Sequence, residues 1–124
     1  MTQYMETKGS LRIPNENIEA AWNAIRAKSD DPAFVSLLPV IQDGTLDSFL
    51  SHYGFGQVEH LEDGIAAEDF FERIEDPEPL MRTLGPFMED GQELMWIRED
   101  NKVSLYVSNN GTLSVYDYLP HQRE

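Results

Sequence analysis

The C-terminal part of the chain alternates between apolar and polar residues. From Gln92 to Leu119 this period of two predicts three antiparallel strands joined by two short turns. In the middle strand, Val103, Leu105 and Val107 alternate with serine and tyrosine residues. The pattern therefore predicts that one face of this strand is buried and the other is exposed.

The turn between the second and third of these strands sets their register. Residues 109–111, Asn-Asn-Gly, can close either a two-residue or a three-residue loop. The three-residue loop, with Gly111 in the left-handed position of a G1 bulge, places Val107 opposite Leu113. The two-residue loop would place Ser108 opposite Leu113, so the three-residue loop is predicted.

The preceding turn, residues 99–102, sets the register of the first hairpin. Pairing Arg98 with Val103 puts Leu94 and Trp96 on the same apolar face as the middle strand's valines and leucine. Trp96 is therefore predicted to lie in the core.

The opposite face of these three strands is only half polar. Tyrosine and β-branched residues are common on exposed strands, which is one interpretation of this face. The other is a partner-binding or homodimer surface, since tyrosine is enriched at interfaces. The candidate residues of this sheet face are Met95, Ile97, Tyr106, Tyr116 and Tyr118.

The N-terminal part predicts a short strand and two helices. Residues 11–13 form a strand candidate that Pro14 ends, and apolar residues at helical spacing predict a first helix from Asn15 to about Lys28. Residues 33–41 predict only a short helical turn, and a second helix follows Thr45 as its N-cap.

The middle of the chain predicts a hairpin and a third helix. Residues 55–61 read as a strand, and residues 65–74 are assigned to a strand rather than a helix because Asp-Gly separates the two runs. Asp76 and Pro77 begin a third helix that ends near residues 85–86. The predicted fold is a single α+β domain over residues 1–124: a two-layer, mostly antiparallel sheet whose C-terminal meander is covered on one face by helices.

Charge is the unusual bulk property of this chain. With 23 acidic and 9 basic side chains, the formal net charge is −14. Such a field repels nucleic acids and anionic membranes, and it attracts basic proteins over roughly 8 Å at physiological salt. We therefore expect a basic protein partner, itself a nucleic-acid-binding protein, and no direct contact with nucleic acid or membrane.

The compartment is indicated by what the sequence lacks. It has no cysteine, hence no disulfide and no thiolate zinc site, and it has no secretory pattern or long apolar run. A cytoplasmic protein is expected.

Acidic residues are concentrated in and after the predicted hairpin, where Arg73 is the only lysine or arginine between residues 59 and 78. A run of like charge commonly forms a solvated surface. The alternative is a phosphate-like array that occupies a basic groove on a partner. The residues of this predicted acidic surface are Glu59, Glu62, Asp63, Glu68, Asp69, Glu72, Glu75, Asp76 and Glu78.

No motif for catalysis, cofactor binding or metal binding is present. Walker, dinucleotide, nucleophile-elbow and His-Glu-x-x-His patterns are absent, and the three histidines have no ligand spacing. His60 is followed by Glu62 and Asp63, but the alternating carboxylates of a calcium loop are missing. We expect no catalytic residue, no cofactor and no metal.

Three short motifs resemble those of small acidic proteins of unassigned function in bacteria and their phages. They are Tyr4-Met5 before a strand, Ala20-Ala21-x-x-Ala24-Ile25 in the first helix, and residues 86–91 before the strand that carries Trp96. In size, acidity and two-layer plan the chain is also similar to phage-borne inhibitors of host nucleases, some of which mimic DNA. The likeness implies no individual functional residue.

Three functions remain as hypotheses. The leading one is a non-enzymatic inhibitor from a phage or mobile element that docks its acidic surface on a nucleic-acid-binding defence protein. The second is an immunity or antitoxin protein that neutralises a cognate toxin through the tyrosine-bearing face. The third is a small enzyme or ligand binder with a pocket between helices and sheet.

Overall fold

The computed structural model describes residues 2–118, which form an α+β fold. The strands are β1 (Gln3–Gly9), β2 (Leu11–Pro14), β3 (Phe55–Leu61), β4 (Gly64–Ile74), β5 (Glu93–Arg98), β6 (Val103–Asn109) and β7 (Thr112–Tyr118). The helices are α1 (Asn15–Ala27), α2 (Leu38–Asp43), α3 (Leu46–Tyr53) and α4 (Glu78–Leu84), with 3-10 turns at Val35–Leu37 and Gly85–Phe87. The predicted fold class is confirmed, as is the strand assignment for residues 65–74.

All paired strands in this sheet are antiparallel, in the order β2-β4-β1-β5-β6-β7, with β3 on the other side of β4. The first half of β4 pairs with β2 and β3, and its second half pairs with β1. Between the halves, Asp69 has a φ of 61° and interrupts the ladder. β1 was not predicted from the sequence because only Met5 in this strand is buried, so its residues show no apolar alternation.

The helices lie against one face of the sheet, here called the inner face. α1 packs on β2 and β4, α3 packs on β3, and α4 packs against α1. Within residues 2–118, no helix is long and apolar enough to cross a bilayer. The opposite face, here called the outer face, consists of the outward side chains of β1, β5, β6, β7 and the second half of β4.

The predicted register of the second hairpin is wrong. Ser108 pairs with Leu113 and Asn109 with Thr112, so a two-residue loop joins β6 to β7. Asn110 and Gly111 have φ angles of 53° and 79°, and both are therefore in the left-handed region that a type I′ turn requires.

The predicted register of the first hairpin is wrong as well. Ile97 pairs with Val103, and the amide of Arg98 donates to the carbonyl of Lys102 at 2.9 Å. The loop therefore has three residues, and its last residue, Asn101, has a φ of 66°. The three-residue loop with a left-handed residue thus occurs in the first hairpin instead of the second.

These two register shifts reverse which side of β6 faces the core, whereas β5 and β7 keep their predicted orientation. Ser104, Tyr106 and Ser108 face inward and are at most 2% exposed, whereas Leu105 pairs with Met95 on the outer face instead of with Trp96. Burial of Ser104 is tolerated because its hydroxyl accepts from Arg98 at 2.7 Å and donates to Asp117 at 2.6 Å.

The prediction that Trp96 lies in the core is confirmed. Its side chain is 0% exposed. The ring meets Phe70 edge-on at 4.9 Å between centroids and Phe55 at 6.1 Å. Trp96 therefore joins β5 to the β3–β4 hairpin.

We expect Trp96→Ala to lower the free energy of unfolding by about 3 to 5 kcal/mol, because the change leaves a large cavity in the aromatic core. Ile97→Ala on the outer face is the control and should cost distinctly less. Chemical unfolding followed by tryptophan-independent circular dichroism measures both. A loss under about 0.5 kcal/mol for Trp96→Ala, the scale of an exposed site, would contradict the packing described here.

Candidate functional site

The nine predicted acidic residues do not form one continuous array. Glu62 and Asp63 lie exposed in the turn between β3 and β4. The backbone carbonyls of these two residues accept hydrogen bonds from the side chain and the amide of Asn15, which ties the turn to the start of α1. This turn end of the hairpin has two carboxylates that point into solvent.

Four more of these carboxylates lie at the opposite end of β4. β4 has 11 residues, so it separates the two ends by up to roughly 33 Å at about 3.3 Å per residue. The side chains at this end are exposed. They belong to Glu72, Glu75, Asp76 and Glu78.

The remaining three members lie between the two ends. Glu59 accepts a hydrogen bond from Gln57 at 2.6 Å, and Glu68 accepts one from the hydroxyl of Ser10. Asp69 is exposed between the two halves of β4. β3 forms the edge of the sheet here, because the first half of β4 is paired on both sides, with β2 and with β3.

Little of this negative charge is neutralised within the molecule. Ion pairs within the range 2–118 include Glu78 with Arg82 at 3.1 Å and Asp100 with Lys102 at 3.9 Å, both exposed, and Glu75 also has an interaction partner. Exposed pairs of this kind contribute little to stability and are screened by salt. The hairpin ends therefore keep an acidic field that a cationic partner can neutralise.

The outer face is the second candidate surface, because no helix in residues 2–118 packs on it. Tyr4, Phe71 and Tyr116 are 42%, 62% and 51% exposed on or beside it. Half-buried apolar residues fill the space between them: Met95, Ile97, Val103, Leu105 and Val107. Contiguous apolar area of this kind marks interaction surfaces in soluble proteins.

Most of the predicted members of this face are on it. Met95, Ile97 and Tyr116 point outward, but Tyr106 is only 2% exposed on the inner face, so its assignment to the binding face is wrong. The reason is the reversed orientation of β6. The side chain of Tyr118 lies outside the described part of the chain.

The charges on the outer face nearly balance, unlike those of the whole chain. Its exposed charged side chains include three acids and two bases: Glu6, Lys8, Arg73, Glu93 and, at its rim, Glu99. Arg73 lies over the ring of Tyr4 at 5.0 Å, and Tyr4 stacks on Phe71 at 5.2 Å. The apolar surface is thus close to neutral.

A cleft of about 520 Å³ opens between the end of β4, the start of α4 and the segment that follows α1. Its lining includes Asp31, Tyr53, Arg73 and Asp76. A second cleft, of about 660 Å³, lies between α1 and α3 and includes Trp22 and other residues of both helices. Both lie on the helical side of the molecule, where the third hypothesis expects a pocket.

Tyr53 is the most deeply buried polar group of the first cleft. Its ring packs against Phe34, Phe49, Phe55 and Phe70. Burial raises the pKa of its hydroxyl well above the ordinary value, and the nearby carboxylate of Asp76 raises it further. Tyr53 is therefore neutral at any physiological pH.

Sequence reasoning did not identify several of these residues, and only some of them had a recognisable sequence signal. Tyr4 and Phe71 meet across β1 and β4, a pairing that depended on an unpredicted strand. The Asn-Gly dipeptide at 110–111 is the typical two-residue hairpin turn and could have placed Tyr106 inside. Nothing in the sequence pattern links Asp31 to Tyr53 and Asp76.

No protein-family model, curated protein or solved structure matches this chain. Within the described residues, no three His, Asp or Glu side chains are grouped so that they could hold a metal ion. The candidate surfaces therefore rest on their own geometry.

Stability should fall at alkaline pH because of the buried tyrosines. Burial, with the carboxylates of Asp76 and Glu78, raises the pKa of Tyr106 from 10 to about 12. A hydroxyl whose folded-state pKa is raised stabilises the fold fully below about pH 10 and loses that contribution as the pH rises toward about 12. The measurement is the free energy of unfolding against pH. Tyr106→Phe should flatten the decline, and an unchanged profile would contradict this cause.

Proposed function

We propose that this protein is a non-enzymatic inhibitor that docks its acidic surface on the basic groove of a nucleic-acid-binding protein, as a phage or mobile-element inhibitor of a host defence protein would. The observation that carries the proposal is the concentration of exposed carboxylates at both ends of the β3–β4 hairpin, where Glu62 and Asp63 at one end and Glu72 at the other are unpaired within the range 2–118. A basic groove shaped for phosphates would attract both ends at once.

The spacing of the two ends supports a nucleic-acid-like target. Glu62 and Glu72 lie near opposite ends of β4, which is up to roughly 33 Å long. One turn of duplex DNA measures about 34 to 36 Å. A protein that contacts phosphates one turn apart therefore presents its cations at a comparable distance.

The side chains of Glu62, Asp63, Asp69 and Glu72 make no hydrogen bond or ion pair with another residue in the range 2–118. They are exposed, so they can be changed without removing a contact that stabilises the fold. Asp69 is the exception for reversal, because its left-handed φ of 61° disfavours lysine.

We expect Glu62→Lys combined with Glu72→Lys to slow association with the basic partner by roughly tenfold or more at low salt, and less at high salt, because long-range attraction sets the association rate. The partner is first captured from host extract, and duplex DNA should compete with its capture. Stopped-flow association against ionic strength then measures the effect.

The control is Asp30→Lys combined with Asp43→Lys. These two residues are exposed and lie outside the hairpin, and the control carries the same change in net charge. If both variants slow association equally, or if duplex DNA does not compete, the acidity is a general property of the surface and the proposal is wrong.

A second candidate function is supported by the outer face. An immunity or antitoxin protein that binds a folded toxin needs an apolar, preformed surface, and the outer face is apolar, near neutral and uncovered by the described helices. In this case the acidic ends would only steer a basic toxin toward the face.

Phe71→Ser combined with Tyr116→Ser should abolish binding to the product of an adjacent toxin gene while leaving the melting temperature nearly unchanged, because both side chains are more than half exposed. Tyr106→Ser is the contrasting variant and should destabilise the fold. Ultracentrifugation of the wild type shows whether a second copy occupies this face instead. A lower melting temperature in the double variant, with no loss of binding or self-association, would assign these rings to packing.

A further inference from the structure

The cleft beside Tyr53 contains three groups suited to a cation. Asp31 comes from the segment after α1, Asp76 from the turn before α4, and Tyr53 from the end of α3. Three distant parts of the chain thus place two carboxylates and one hydroxyl around the same space.

Both carboxylates are held in place by the backbone. One oxygen of Asp31, Oδ1, accepts from the amide of Ala33 at 2.9 Å, and Oδ1 of Asp76 accepts from the amide of Glu78 at 2.9 Å. Each carboxylate has a second oxygen with acceptor capacity that these bonds do not use. A ligand would therefore meet acceptors whose orientation is already set.

The hydroxyl of Tyr53 is an unused polar group. The side chain is only 7% exposed, yet its oxygen makes no hydrogen bond with another residue of the described range. Four aromatic residues enclose its ring, so the hydroxyl is the part that reaches the cleft. The hydroxyl oxygen is thus open to the cleft, where it can accept from or donate to a group that enters.

The basic residue in the lining does not fill this role. Arg73 has its guanidinium over the ring of Tyr4 on the outer face and donates to the carbonyl of Thr2 at 3.4 Å, and it makes no hydrogen bond with Tyr53. The walls of the cleft also include Pro32, Ile74 and Pro79. An apolar wall beside two carboxylates suits a cation on a methylene stem.

We propose that this cleft binds the guanidinium or ammonium group of an arginine or lysine side chain that projects from the basic partner. The inference rests on the proposed function, since it names where the partner inserts a side chain at the far end of β4. Directed N–H donors of such a group fit two carboxylates and a phenol oxygen, with charge-assisted hydrogen bonds to the carboxylates.

The test uses Nα-acetyl-arginine amide as the probe and its neutral isostere, Nα-acetyl-citrulline amide, as the control, in NMR titrations of the full chain. The arginine probe should cause saturable changes in the chemical shifts of residues around the cleft. The citrulline probe should bind at least tenfold more weakly because it lacks the charge. Chemical-shift changes of equal size for both probes, or changes spread over all acidic residues, would overturn the assignment of this site.

Matched variants locate the binding groups. Asp31→Asn with Asp76→Asn keeps the side-chain oxygens that accept from the backbone but removes both charges, so binding should weaken by about tenfold or more while the fold persists. Tyr53→Phe should weaken binding by a few-fold. Asp30→Asn with Asp43→Asn is the charge-matched control and should bind like the wild type. Equal loss in the control would overturn the assignment.

The source of the cation is distinguished with the captured partner. If the cleft receives a partner side chain, Asp31→Asn with Asp76→Asn should raise the dissociation rate of the complex. If this variant loses the arginine probe but releases the partner at the wild-type rate, the cleft serves a free small cation and the inference about the partner is wrong. If Glu62→Lys combined with Glu72→Lys does not slow association with the partner, but the arginine probe still binds the cleft, only the proposed function is rejected.

Discussion

The packing of Phe70 against its aromatic neighbours is the interaction on which the rest of the structure depends. Its ring lies 4.9 Å from Trp96, 5.2 Å from Phe55 and 5.7 Å from Tyr53, so one side chain joins two strands and a helix to β4. Burying these large rings is among the strongest contributions available to a chain of this size. Because of this cluster, the inner face of the sheet packs in the core. The outer face is not covered by any helix of the described residues.

This one-sided arrangement gives the molecule three separate surfaces. The outer face is apolar and nearly neutral, the two ends of the β3–β4 hairpin are acidic, and a cleft beside the aromatic cluster brings carboxylates close to a buried hydroxyl. A net charge of −14 raises the encounter rate with any basic partner, whereas short-range contacts decide which surface holds it. The acidic ends and the cleft meet at the far end of β4, which is why we combine them in one binding mode.

Local sequence was sufficient for most of the elements. Apolar spacing predicted α1 and α3, alternation predicted the three C-terminal strands, and Trp96 was placed in the core. Alternation shows which residues of a strand share a face, but it does not show which face meets the helices. In β6 both faces are plausible, since Tyr106 on one can fill as much core volume as Leu105 on the other.

The sequence by itself determined most of the secondary structure, the α+β class and the acidity of this protein, because propensity, periodicity and charge are local properties. The tertiary structure decided that β6 turns Ser104, Tyr106 and Ser108 inward, because two turns and a helical layer act on that strand together; the Asn-Gly turn was its one local signal. It also placed six of the nine carboxylates at the two ends of β4 and gathered Asp31, Tyr53 and Asp76 around a cleft. Contacts between residues far apart in the chain depend on how elements pack, and no local pattern encodes that arrangement.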